Sequence, residues 1–376
     1  MNSLKLLALA IPALALACGS RAVDLEGERI PKVTASSDPG IVALIDEAVT
    51  SLGVDDERLY WKGTSYVDYT ALRSCKKASC ANSLVTYDPR RVSVSADFFV
   101  FGGEVFWLES ADYHHATLRA CNVAGCDHGS RTVSSFVIED ADLMTFGADA
   151  AFVSAVSYRD YGVNIASSSI YRFSLGPGDN PPTLVAQLDG AAASLAVQDD
   201  YVYWLERTPR VGALTPEYFN KQRLQRARTD GSGQPELLAQ NLEILYSNSH
   251  SLVVDRDDVY WSESALYGSI HRCPLAGCAD PSTAEVFLQP IRTPTTLWLD
   301  AGNLYWAYDT AGAGYGMSTC RLTSCTPIAA VAPGLGDIAA TMFDDEFIYT
   351  AATAQETTAG DGSVTLPLRR IARVVP

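Results

Sequence analysis

Apolar and polar positions alternate with a period of two over short runs, and the runs are separated by turns rich in Asp, Gly and Ser. This is the patterning of half-buried strands. The stretch from Ser251 shows it most fully: Ser251 to Asp255 predicts one strand, Arg256-Asp257-Asp258 a turn, Val259 to Glu263 a second strand, Ser269 to Cys273 a third and Ala284 to Gln289 a fourth. Long helical periodicity is absent. The same layout recurs, marked by an apolar or aromatic doublet after each turn: Tyr60-Trp61, Phe106-Trp107, Phe152-Val153, Tyr203-Trp204, Tyr260-Trp261, Tyr305-Trp306 and Tyr349-Thr350, at intervals of 44 to 57 residues.

Four antiparallel strands repeated at roughly 45 residues predict the blades of a propeller. The expected fold is therefore all-β, a single seven-bladed β-propeller over residues 41–376. The last unit supplies strands near Ile338 to Met342, Phe347 to Ala351 and Leu368 to Val375 and then ends. Ile41 to Asp46, before the first unit, is the candidate for its missing fourth strand, because pairing there leaves no open edge. Trp61, Trp107, Trp204, Trp261 and Trp306 share one position of the repeat, which assigns them to the core between blades.

The Tyr-Trp pair after an acidic turn, a later Ile/Leu-x-Arg such as Ile270-His271-Arg272, and the turn Asp230 to Gly233 resemble the YWTD-type repeat of propeller domains. The resemblance implies the fold. It carries no ligand residues across, since Lys62-Gly63, Leu205-Glu206 and Ser262-Glu263 stand where those repeats have Thr-Asp. Such domains usually close with six blades, so a six-bladed ring is the alternative.

Residues 1–17 run from Lys5 through an apolar block into small residues, the layout of a signal peptide too short to span a bilayer. Leu14-Ala15-Leu16-Ala17-Cys18 resembles a bacterial lipobox, which implies that Cys18 is lipidated and becomes the mature N-terminus. Gly19 in place of Asp favours the outer membrane of a Gram-negative envelope, with a periplasmic or secreted protein as the alternative. Residues 18–40, polar and broken by Pro31, Pro39 and Gly40, then read as a tether. Acyl chains would be the sole contact with the membrane.

The other eight cysteines fall into pairs of one spacing, Cys75/Cys80, Cys121/Cys126, Cys273/Cys278 and Cys320/Cys325. Each first cysteine ends a third strand and each second one is expected at the start of the fourth, where facing Cα atoms come within disulfide reach. Zinc knuckles and thioredoxin-type sites use closer pairs in other settings, so structural disulfides in an oxidising compartment are the expectation. No metal site and no cofactor are predicted. The unit with Ala227 and Ser232 at these positions has the turn Arg228-Thr229-Asp230-Gly231 instead.

A formal charge of −16 repels phosphate backbones and argues against nucleic acid as a partner. Asp55-Asp56, Asp199-Asp200, Asp257-Asp258 and Asp344-Asp345 lack the ligand spacing of a calcium loop and read as turns. The loops joining second to third strands are rich in aromatic and imidazole side chains: Tyr66, Tyr69, Tyr113, His114, His115, Tyr158, Tyr161, Tyr218, Tyr267, Tyr308 and Tyr315. Tyrosine offers rigid area with a polar tip, so this face is the candidate site for an envelope protein, peptide or glycan on a monomeric, non-catalytic binding or scaffold module. The alternatives are an extracytoplasmic lyase or hydrolase at the channel mouth, with His114 or His115 as base, and a purely structural surface protein.

Overall fold

A computed structural model describes residues 33–34, 40–45, 47–64, 70–88, 98–112, 115–126, 129–137, 140–158, 165–176, 181–207, 221–243, 252–263, 268–278, 285–291, 294–309, 315–332, 338–352 and 366–372. They form seven antiparallel sheets arranged as a ring, a seven-bladed β-propeller, so the six-bladed alternative falls. Blade one is Ala48–Val54, Arg58–Thr64, Thr70–Lys76 and Val85–Asp88; blade two is Phe99–Phe101, Glu104–Asp112, His115–Asn122 and Arg131–Val137. Blade three is Asp140–Phe146, Ala150–Tyr158, Ile165–Ser174 and Thr183–Leu188; blade four is Ala191–Gln198, Tyr201–Arg207, Lys221–Arg228 and Glu236–Glu243. Blade five is Leu252–Val254, Asp258–Glu263, Gly268–Pro274 and Glu285–Ile291; blade six is Pro294–Asp300, Asn303–Asp309, Tyr315–Arg321 and Ser324–Ala332.

Blade seven takes Ile338–Phe343, Phe347–Ala352 and Leu366–Ala372 from the end of the chain and Ile41–Ile45 from its beginning. Ile45 pairs with Leu366 and Ala43 with Leu368, as the missing-strand argument predicts. Val33–Thr34, which the sequence pattern leaves in the tether, pairs with Leu44 and Ile45 and makes this sheet five-stranded.

The repeated doublet works through the two-residue period of a strand, which sends neighbouring side chains to opposite faces. Tyr60 packs toward blade two, with Trp107, while Trp61 packs toward blade seven, with Tyr349 and Leu368. Tyr203 and Trp261 share the seam of blades four and five, and Tyr260 and Trp306 share the next. Six of the seven seams thus receive the first residue of one doublet and the second of the following one; in the seam of blades six and seven Tyr305 meets Ile348 instead. The five tryptophans of the doublets are all buried, at 2% exposure or less. Burial of a large apolar side chain contributes about 1.5–3 kcal/mol, so one repeated doublet supplies much of the adhesion between blades. The seam containing Trp61, Leu52, Tyr349 and Leu368 joins the last blade to the first and closes the ring.

The strand 1–2 turns of six blades use two chemistries. In blades one, five and seven an Asp side chain accepts two backbone N–H groups: Asp55 from Glu57 and Arg58, Asp255 from Asp257 and Asp258, and Asp344 from Glu346 and Phe347. In blades two, four and six the turn instead enters positive φ, at Gly102-Gly103, Asp199 and Ala301-Gly302. These are the backbone signs that fit a tight hairpin to twisted strands. Asp55, Asp255 and Asp344 thus use their carboxylates to close their own turns.

All four cysteine pairs are bonded, with Cα atoms 4.7, 5.6, 5.1 and 4.8 Å apart in chain order. One expectation is corrected. The second cysteine begins the fourth strand only in blade six, where Cys325 lies in Ser324–Ala332; Cys80, Cys126 and Cys278 lie in the connection before it. The reason is that these connections have a second task, docking on the preceding blade. The carbonyl of Val123 accepts the Tyr87 hydroxyl at 2.5 Å, and that of Leu275 accepts an Arg226 N–H. Leu322 and Cys325 pack into the blade five–six seam. In blade four, which has no disulfide, Gly231 at φ +74° passes so close to blade three that a Cβ would lie 2.6 Å from the Leu184 carbonyl oxygen.

Candidate functional site

The second strands end at one face of the ring, and the loops that leave them carry the tyrosine and histidine residues singled out above. Near those strand ends stand four hydrogen-bonded carboxylates, two of them, Glu47 and Glu206, buried and two, Glu109 and Glu263, partly exposed. In blades two, four and five the sequence reads Trp-x-Glu, so Glu109, Glu206 and Glu263 lie on the same strand face as Trp107, Trp204 and Trp261. The third strand places Arg119, Gln225 and His271 directly opposite those tryptophans. The register alone brings each carboxylate to a donor.

Glu109 accepts Arg119 Nε at 2.5 Å, and Arg119 Nη1 also reaches Thr132 Oγ1 at 2.8 Å. Glu206, 1% exposed, accepts the Gly190 amide at 2.7 Å, Arg223 Nη2 at 3.1 Å and the Gln225 side-chain amide. In blade five, His271 stacks on Trp261 with ring centroids 5.7 Å apart, and its Nε2 lies 2.8 Å from Ser269 Oγ and 3.3 Å from Glu263. Blade one reaches the same arrangement by another route. Gly63 replaces the glutamate, and Glu47, from ahead of the first strand, fills the space: a Cβ on Gly63 would fall 2.3 Å from its carboxyl carbon. Glu47 Oε1 accepts Trp61 Nε1 at 2.6 Å, and its other oxygen pairs with Arg73, which stands opposite Trp61.

A carboxylate removed from water costs several kcal/mol unless hydrogen bonds and charge replace its hydration. Here they do, and each cluster fixes the end of a second strand to the third strand beside it. The second strands therefore end on a hydrogen-bonded base.

Of the sequence-predicted face, Tyr308 is described. It is half-buried against the blade five–six core, its ring lying over Gly316, where a Cβ would come within 2.5 Å of Cζ. The backbones of His115, Tyr158 and Tyr315 pair at strand ends, with Asp112, Ile165 and Asp309 respectively. Tyr66, Tyr69, Tyr113, His114, Tyr161, Tyr218 and Tyr267 lie outside the described residues, as does Cys18. The carboxylate clusters escape a reading of the sequence, although three of them announce themselves as Trp-x-Glu. Among the described residues no group of three or more His, Cys, Asp or Glu side chains is placed to hold a metal ion.

The opposite face shows the same economy of charge. Tyr60 and Tyr349 donate to Asp55 at 2.5 Å and to Asp344 at 2.9 Å, and burial, together with the carboxylate, pushes both phenols well above their usual range. Burial works against the Asp344 carboxylate, but Lys77 at 2.6 Å and the two turn amides outweigh it and hold its pKa below the usual value.

No family model and no curated protein matches the chain. Solved structures do match in fold. A puromycin-hydrolysing peptidase from Mycobacterium tuberculosis aligns at a TM-score of 0.60 and 11% identity, over 88% of this chain and 55% of that one. A prolyl endopeptidase aligns at 0.53 and 15%, over 88% of this chain and 51% of that one. This chain thus spans about half the length of those two peptidases. The β-propeller domain of the Trilobed protease from Pyrococcus furiosus, described as having an open velcro topology, aligns at 0.57 and 9%, over 86% of this chain and 95% of that one. These similarities define the class as a β-propeller and extend to the fold alone.

Proposed function

We propose that the chain is an extracytoplasmic propeller, lipid-anchored through Cys18 at the outer membrane, that holds a protein, peptide or glycan of the cell envelope on its strand 2–3 loop face without chemistry of its own. The observation that carries this reading is the set of hydrogen-bonded carboxylates toward the ends of the second strands in blades one, two, four and five, Glu47 and Glu206 being buried. A face held on such a base loses little conformational entropy when it binds, which is where the affinity of a preorganised site comes from. The disulfides fit an oxidising compartment. Tyrosines on such a base supply contact area at low entropic cost.

Replacing Tyr113, His115, Tyr161 and Tyr267 together by alanine tests the reading. The folded variant is expected to lose the envelope components that co-purify with the unaltered chain. Unchanged co-purification would place the binding face elsewhere, and a lost turnover on His114→Ala or His115→Ala would favour an enzyme.

A further inference from the structure

We propose that the Cys75–Cys80 disulfide is a buried, redox-guarded lock on the N-terminal strand that closes the ring. Of the four bonded connections, this one faces the closing sheet. Its second cysteine opens the short helical turn Cys80–Asn82, and that turn lies alongside both Val33–Thr34 and Ile41–Ile45. Cys75 and Cys80 are 0% and 3% exposed, inside the seam core that contains Ala43 and Ile45 of the closing strand and Leu368 of its partner.

A second contact from the same connection reaches the same blade. Lys77, between the two cysteines, places Nζ 2.6 Å from Asp344 Oδ2 and 5.6 Å from the centre of the Tyr349 ring. Its backbone N–H donates to the Glu57 carbonyl at 2.9 Å, which fixes the connection to its own blade. The bond therefore holds a turn that touches blade seven at its N-terminal strands and at its strand 1–2 turn. The other three connections touch blades whose strands are consecutive in sequence, and their second cysteines, Cys126, Cys278 and Cys325, are only partly buried.

This difference has a chemical consequence. An external dithiol reduces a disulfide by thiolate attack on one sulfur; the S–S bond breaks, the two cysteines take up two electrons and two protons, and the dithiol becomes its own disulfide. Attack requires access to a sulfur. Cys126, Cys278 and Cys325 are partly exposed residues in the closed ring, whereas Cys75 and Cys80 are reached once the closing strand has lifted. Reduction of this bond and release of the strand are then linked, each favouring the other.

The test uses the full folded chain and graded dithiothreitol, with alkylation and mass spectrometry to time each pair. Cys75 and Cys80 are expected to label about tenfold or more slowly than the other six cysteines. In a Cys75→Ser/Cys80→Ser variant, amide exchange over Ile41–Ile45 is expected to accelerate while that over Gly268–Ile291 stays unchanged; Cys273→Ser/Cys278→Ser should leave Ile41–Ile45 unchanged. Labelling of Cys75 and Cys80 at the rate of the others overturns the lock, as does unaltered exchange over Ile41–Ile45 in the first variant. Should that variant fail to fold, the graded reduction of the unaltered chain decides alone.

Discussion

Gly63 carries its weight by lacking a side chain, since the space a Cβ would fill holds the Glu47 carboxylate that serves Trp61 and Arg73. Gly63→Ala should therefore expel a buried carboxylate from its donors and cost about 3 kcal/mol or more, as urea unfolding would measure. A milder result is expected for Gly103→Ala, where φ is +79° but nothing lies within 4 Å of an added Cβ: the left-handed backbone alone costs about 1–2 kcal/mol. The rim pair Glu104–Arg131 adds a pH dependence. The Arg131 guanidinium, hydrogen-bonded to Glu104 at 2.7 and 2.8 Å, holds that carboxyl below the usual range against the opposing effect of burial. A carboxylate depressed on folding contributes stability above its unfolded pKa and loses it as pH falls through the folded value. Glu104→Gln should accordingly flatten the decline of stability just below the ordinary carboxylate range. An unchanged acid limb in urea titrations would contradict this assignment.

At the scale of strands, the tyrosine–tryptophan doublet is legible in the sequence because its period and its burial obey one rule: Tyr60 goes to one seam and Trp61 to the other. The closing strand is legible too, because the last unit lacks a fourth strand and Ile41 to Ile45 has the right pattern. The carboxylate clusters are harder to see. Glu206 is three residues from Tyr203 in sequence, but what makes it a structural centre is Gln225 opposite Trp204, and that depends on a register the pattern does not state. Glu47 is harder still, since it comes from outside the repeat to fill a gap left by Gly63. The cysteine connections show a third case. Their spacing predicts the bonds, whereas their docking on the preceding blade, as in Tyr87 to Val123, requires the blades to be side by side.

For the whole molecule, ring closure turns seven separate sheets into one body, and it depends on a strand drawn from the other end of the chain. Removing residues 1–46 should leave blade seven with the bare edge of Leu366–Ala372 and one half-formed seam, since Ala43 and Ile45 belong to the core around Trp61. Open edges pair with other chains. The truncated protein is expected to unfold at lower urea and to self-associate, as sedimentation would show; a monomer of unaltered stability would contradict closure by this strand. On the proposed function the two ends of this ring differ in role: the tyrosine-rich segments between second and third strands hold the partner, while the strand 1–2 turns spend their charge on their own backbone. Site-specific photocrosslinking in intact cells compares them directly, with the photoreactive residue at Tyr113, Tyr161 or Tyr267 on the loop face and at Asp56, Asp257 or Gly302 on the turn face. The loop-face positions are expected to trap a common envelope component and the turn-face positions none, whereas adducts confined to the turn face, or equal from both, would contradict the proposed site.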